Sequence, residues 1–192
     1  MILDQAITQS GSGGVDEVRR LYLTEGAGLR QTLARLVPEL DAHDLLHELF
    51  VVALDKRDEL GTVQSPRAWL YGVAVKLAAT RRRTARLRRF FGLEQAHDVP
   101  AVDVSTRTVA QRDAQVRVSR ALESLAAPKR EVFVLFELQG LPGEEIAAAL
   151  HIPLKTVWTR LFHARKEVTA ALERQLLIEA RTSGLKRDEV EP

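Results

Sequence analysis

Apolar residues return every three or four positions along nearly the whole chain, and no stretch alternates polar with apolar. That period belongs to the α-helix, which brings positions i, i+3, i+4 and i+7 to one face. The expected fold is therefore all-α. Aromatics are only 5% of the 192 residues, so a core must rest on Leu, Val, Ala and Ile. There is no Cys, which excludes a disulfide framework and thiolate metal sites and is compatible with a reducing cytoplasm. No apolar run approaches the roughly 20 residues of a membrane span. Met1 to Gly14 is polar and lacks the basic start and apolar stretch of a signal peptide. A cytoplasmic protein with no membrane insertion is the expectation.

Punctuation divides the helices. A first is expected from Val15 to Val37, weakened by Gly26 and Gly28 and closed by Pro38. A second follows Asp41 as N-cap, with Leu45, Leu46, Leu49, Phe50, Ala53 and Leu54 on one face. Glu59 to Gln64 reads as a loop around Gly61. Ser65 caps a third helix and Pro66 takes its first position, where a missing N–H costs nothing. Trp69, Leu70, Val73, Ala74 and Leu77 form its buried stripe. The stretch 92–114 has no clear period and reads as a flexible linker. It joins two small helical domains, 15–91 and 115–178. In the second, helices are expected over Gln115–Leu125, Pro128–Gly140 and Pro142–Leu150. After a turn at His151-Ile152-Pro153, a longer helix runs from Leu154 toward Ile178, and Thr182 to Pro192 reads as a loose tail.

The net charge of +2 hides a segregation. Residues 1–60 carry a net −5, residues 61–90 a net +8 with no acid at all, and residues 91–192 a net −1. An acid-free basic block suits either a polyanion partner or a solvated helix face.

The stretch from Glu144 to Leu161 has the pattern of a helix-turn-helix. Ala147, Ala148 and Ala149 let two helices approach closely, and Ile146, Leu150, Ile152, Val157 and Leu161 supply a shared core. The second helix would then expose Lys155, Thr156, Trp158, Thr159 and His163. A helix fits the major groove and its early residues reach base edges. Arg160, Arg165 and Lys166 suit phosphate contacts, which fix register without reading sequence.

Residues Arg120 to Val168 resemble region four of the extracytoplasmic-function sigma factors of bacterial RNA polymerase. The matching residues are Ala121–Leu125, Arg130–Phe133, Gly140-Leu141, Glu144–Ala147, Thr156-Val157 and Arg160–Arg165. The first half resembles region two of the same family through Asp41–Leu45, Glu48–Phe50 and Ser65–Tyr71. The resemblance implies that the second domain reads the minus-thirty-five element as duplex, with Phe162 joining the recognition residues. It implies that the first domain opens the minus-ten element and holds one strand, through Leu60, Trp69, Lys76, Arg81, Arg82 and Arg83. It further implies that Asp41, Asp44, Leu45, Glu48 and Leu49 meet the clamp coiled coil of the largest subunit of core RNA polymerase. Promoter DNA, duplex and single-stranded, and an anti-sigma factor complete the implied partners. A stand-alone helix-turn-helix regulator would explain only the second half.

The sequence departs from the family's pattern at defined places. Leu60 stands where an aromatic is frequent in the capture loop, and Lys76 where Asn is frequent. His151 and Lys155 replace turn glycines, Pro142-Gly143 replaces a capping Ser, and Trp158 replaces a basic side chain. No cofactor, catalytic residue or metal is expected. His43 and His47 sit four apart without an obvious third ligand, and the second His of a zinc-protease motif would fall at Val51. Walker and dinucleotide glycine patterns are missing.

Overall fold

The computed structural model describes residues 2–91 and 109–188, with side chains over 14–91 and 113–181. Every regular element among them is helical: α1 (Ile2–Leu36), α2 (Ala42–Asp55), α3 (Arg57–Leu60), α4 (Pro66–Phe90), α5 (Val109–Glu123), α6 (Ala127–Phe133), a π-helical turn (Val134–Leu138), α7 (Gly143–Leu150) and α8 (Leu154–Asp188).

The predicted caps form. The Asp41 side chain accepts from the backbone N–H groups of His43 and Asp44, and Ser65 accepts from that of Ala68 with Pro66 next to it. Each side chain fills an orphan N–H bond at its helix start. Gly140, expected to end a helix, has φ +65, a left-handed conformation that glycine takes without steric cost.

Several boundaries move. The first helix begins at Ile2 instead of Val15. Residues 109–114, expected in the connector, are the first turns of α5, and the remainder of that connector lies outside the described residues. The last helix reaches Asp188, so the expected loose tail is helical over most of its length. The helix expected over 128–140 is α6 followed by the wider π turn, which ends one residue before Gln139.

α1, α2 and α4 form one bundle, sealed at its end by α3; α5, α6, α7 and α8 form the second. The two are not separate in space. α7 packs on α4, and α5 and α6 reach α1, so a single apolar cluster runs from Val18 to Ala171. The expected stripe of α4 is half right. Leu70 and Ala74 are buried, whereas Trp69, Val73 and Leu77 are partly buried. Tyr71, only 1% exposed, lies in the core unforeseen.

Candidate nucleic-acid and polymerase interfaces

α7 and α8 meet at a tight turn. His151 ends α7 in the left-handed region, φ 54 and ψ 46, and its N–H returns to the Ala148 carbonyl. Ile146, Val157 and Leu161 are buried between the two helices, and Leu150 and Ile152 pack against them. Two departures from the family pattern prove to be one structural exchange. A Cβ on Gly143, the first residue of α7 after its N-cap Pro142, would fall 2.6 Å from the Trp158 ring, so the indole occupies the space that any side chain there would need. Trp158 also meets the Phe136 ring edge-on at 5.5 Å. It remains 42% exposed, so part of the indole faces outward beside the early residues of α8.

The rest of the α8 face is as expected for Lys155, Thr159, Phe162, His163 and Lys166, all exposed. Thr156 and Arg160 are partly buried. The Arg160 charge acts on Glu131, and Arg165 is tied to Glu137 at 2.6 Å while lying over the Phe136 ring. These two arginines are anchored within the second bundle as well as near its surface.

On the first bundle the outcome is mixed. Lys76 and Arg83 are exposed and Trp69 is partly buried. Arg81 is paired with Glu48. Arg82 donates to the Leu36 carbonyl at 3.1 Å and pairs with Glu131 of the other bundle. Leu60 does not face the loop surface: it is 1% exposed and seals the core end at α3, leaving Gly61, Thr62 and Gln64 exposed in the loop itself. Leu45 and Leu49, expected as docking anchors, are likewise core residues, 4% and 0% exposed. The resemblance implied the docking role, whereas the apolar periodicity had already put both on one face with Leu46, Phe50 and Ala53, and that face is the buried one. The outer face of α2 carries Asp44, His47, Glu48, Val51 and Asp55 instead. Val51, 65% exposed, was missed, although it stands seven residues from Asp44 and so shares its face. Asp41 is occupied as the cap. His43 and His47 stack edge to face at 4.5 Å, and among the described residues no third His, Asp or Glu joins them to hold a metal.

The contact between bundles is specific. A Cβ on Gly72 would sit 2.7 Å from the Ala149 carbonyl, so only glycine lets α4 and α7 come this close. Arg67 donates to the Gln139 carbonyl at 2.5 Å and to Glu25 at 3.0 Å. The Tyr71 hydroxyl donates to Gln139 Oε1 at 3.0 Å, and Gly28 leaves room for both groups. Burial pushes the Tyr71 phenol up to about 12, helped by the negative charge of Glu25. Lys76 Nζ donates to His151 Nε2 at 3.2 Å. Burial also raises the Glu131 carboxyl, against the pull of Arg82. Thus Lys76, Arg81 and Arg82 are engaged within the molecule. Among the described residues, Arg83, Arg86, Arg88 and Arg89 have no carboxylate partner.

Comparison with known proteins places the chain in a family. The family model for sigma-70 region 4 matches residues 115–168. RNA polymerase sigma factor CnrH of Cupriavidus metallidurans is 30% identical over 177 residues, covering 86% of this chain and 91% of that protein. The ECF RNA polymerase sigma-E factor of Escherichia coli is 29% identical over 150 residues, 71% of this chain and 76% of that one. Among solved structures, CnrH in complex with the cytosolic domain of CnrY superposes with a TM-score of 0.61 at 27% identity, over 87% of this chain and 94% of that one. Sigma factor RpoE in complex with the anti-sigma factor NepR from Bartonella quintana gives 0.67 at 23% identity, over 82% and 97%, a likeness of fold.

Proposed function

Because the chain belongs to the extracytoplasmic-function sigma factors and directs transcription from promoters, we propose a division of that work among its helices. The start of α8 enters the major groove of the minus-thirty-five element. Lys155, Trp158, Thr159 and His163 face base edges, while Lys166, Arg160 beside Glu131 and Arg165 paired with Glu137 meet phosphates. The outward part of Trp158 suits a thymine methyl. α4 opens the minus-ten element and tracks the displaced strand with Lys76 and Arg83. The outer face of α2, with Asp44, Glu48 and Val51, meets the clamp coiled coil of core polymerase. The role is one of binding, with no bond made or broken by this chain.

The observation that carries this reading is the pairing of an exposed cationic face on α8 with a second, acid-free cationic helix in the other bundle. Geometry adds a requirement. Minus-ten and minus-thirty-five elements lie about 25 base pairs apart, roughly 85 Å at 3.4 Å per pair. With α7 resting on α4, both elements cannot be held at once, so the bundles part before a promoter is opened. The 17 residues from 92 to 108 give a reach of at most about 60 Å when extended. An inhibitor protein that holds the bundles together would act on this step. CnrH was solved in complex with the cytosolic domain of CnrY, and RpoE in complex with the anti-sigma factor NepR, which supports an anti-sigma partner here.

Transcription by core polymerase on a library of genomic fragments, with and without this chain, tests the reading. New start sites should appear only when it is added, and footprints should require core. Protection of DNA by the chain alone would favour a stand-alone regulator; an absence of core binding would sink the sigma-factor reading.

A further inference from the structure

α4 ends in two aromatic residues that the division above leaves unused. Phe90 is 82% exposed and Phe91 67%, with Leu87 beside them at 49%. The chain has only six Phe, and these two stand in water at the end of a basic helix. Their rings meet edge to face at 5.3 Å, and Phe90 stays the more exposed of the two. Trp69, Lys76, Arg83 and Phe90 follow one another at intervals of seven, and a straight helix drifts only about 20° per such step. Phe90 therefore prolongs the face of α4 assigned to the displaced strand. It lies about 21 Å beyond Lys76 along the axis, at 1.5 Å per residue. Arg83, Arg86, Arg88 and Arg89 surround it, all exposed, with no acid anywhere in residues 61–90.

Resting on the division of labour proposed above, we propose that Phe90 and Phe91 form a stacking platform for unpaired bases of single-stranded promoter DNA. The platform extends the grip on the opened strand past the minus-ten contacts. An aromatic face stacks on any base, and the surrounding arginines hold the phosphates on either side. A polyanion is the occupant that this charge selects. Among the described residues the four guanidinium groups have no carboxylate partner, and an apolar protein surface would have to bury them along with the rings at a desolvation cost. The platform is sequence-tolerant, so it lengthens the life of the open complex without choosing the promoter.

The test uses full-length protein bound to core polymerase, on a pre-melted bubble template with 2-aminopurine placed at successive positions of the non-template strand. At one or two positions about six nucleotides from the minus-ten contacts, or fewer if the strand is stretched, fluorescence should be quenched, since 21 Å spans about six steps at 3.4 Å per strand. F90A/F91A should abolish that quenching and shorten open-complex lifetime roughly ten-fold, within the range that one stacked base contributes. F90W should restore both, and F90L, apolar but without a ring, should not. Wild-type behaviour of F90L would overturn the platform, as would a loss of core affinity in F90A/F91A, which would assign the pair to a protein contact. If wild-type holoenzyme opens promoters and F90A/F91A is indistinguishable from it, the platform fails alone. If wild-type protein binds no core, the functional reading fails with it.

Discussion

α4 and α8 are the two helices proposed above to meet nucleic acid, and the fold presents them differently. The early face of α8 is open to solvent, with its recognition residues beside a turn that the second bundle builds by itself. The corresponding face of α4 is covered at Gly72 by Ala149, is bridged at the exposed Lys76 by His151, and is free of the second bundle toward Arg83 and Phe90. On the proposed division of labour, one helix is ready to meet duplex DNA and the other has to be uncovered. The order suits the chemistry. Duplex is present from the start, whereas a displaced strand exists only after polymerase has engaged.

The largest break in this contrast should come from Glu131→Lys. Glu131 and Arg82 are 12% and 20% exposed, and the pair ties α6 to α4 across the bundle boundary. Removing one partner of a largely buried pair costs about 3 kcal/mol or more, and a lysine there adds repulsion from Arg82 with Arg130 and Arg160 nearby. The bundles should separate, raising the radius of gyration in small-angle scattering, while α8 still binds minus-thirty-five duplex in the holoenzyme. An unchanged radius would mean that the pair does not hold the closed form.

Tyr71 reports on the same boundary. Its phenol titrates near 12 in place of 10.0 because it is buried against Gln139 and Glu25. The folded state thus favours the protonated phenol. The contribution of Tyr71 to stability should be fully present below about pH 10 and be lost as pH rises from there through about 12, because the unfolded chain releases that proton first. The absorbance component missing in Y71F identifies the group. In Glu131→Lys that component should move toward 10 as Gln139 departs. If it stays near 12, the phenol owes its shift to the first bundle alone.

A sharper dissection is Gly72→Ala. Alanine is favoured over glycine in a helix interior by about 1 kcal/mol, but its Cβ would meet the Ala149 carbonyl at 2.7 Å. Local stability of α4 should rise while the closed contact weakens. Hydrogen exchange should slow in the middle of α4, and a distance probe between the bundles should lengthen. Both moving in the same direction would mean that α7 shifts to accommodate the methyl group.

How far the sequence revealed this contrast depends on the range of the interaction. Asp41 and Ser65 caps, the Gly140 turn and the Ile146–Leu161 core are local patterns, and all form as read. Leu45, Leu49 and Leu60 were assigned by the family resemblance, which matches positions in the chain without saying which neighbour covers each side chain. α1 and the α3 corner bury all three. Gly28 looked like a weakness in a helix, yet it leaves space for Tyr71 and Gln139, residues 43 and 111 positions away in sequence. Arg82 was read as a DNA contact from its place in a basic run, since nothing local shows that Glu131 lies opposite. Gly143 and Trp158 looked like independent departures until the fold brought them together.

The smallest effect expected is at His151. Its φ of 54 costs a residue with a Cβ about 1 kcal/mol that glycine avoids. Against this, glycine gives up the acceptor for Lys76 Nζ, a solvent-exposed contact across the bundle boundary. Exposed polar contacts of this kind contribute little, a few tenths of a kcal/mol. His151→Gly should therefore raise stability by about 0.5 kcal/mol, a change of about 1–2 °C in Tm for a chain of this size. The comparison with Lys76→Ala separates the two contributions. Alone, Lys76→Ala should lower stability slightly; in the His151→Gly background it should do nothing, because its partner is gone. If His151→Gly instead lowers stability by 1 kcal/mol or more, the left-handed turn is held for the imidazole, and the α4–α7 boundary depends on that contact more than on the close approach at Gly72.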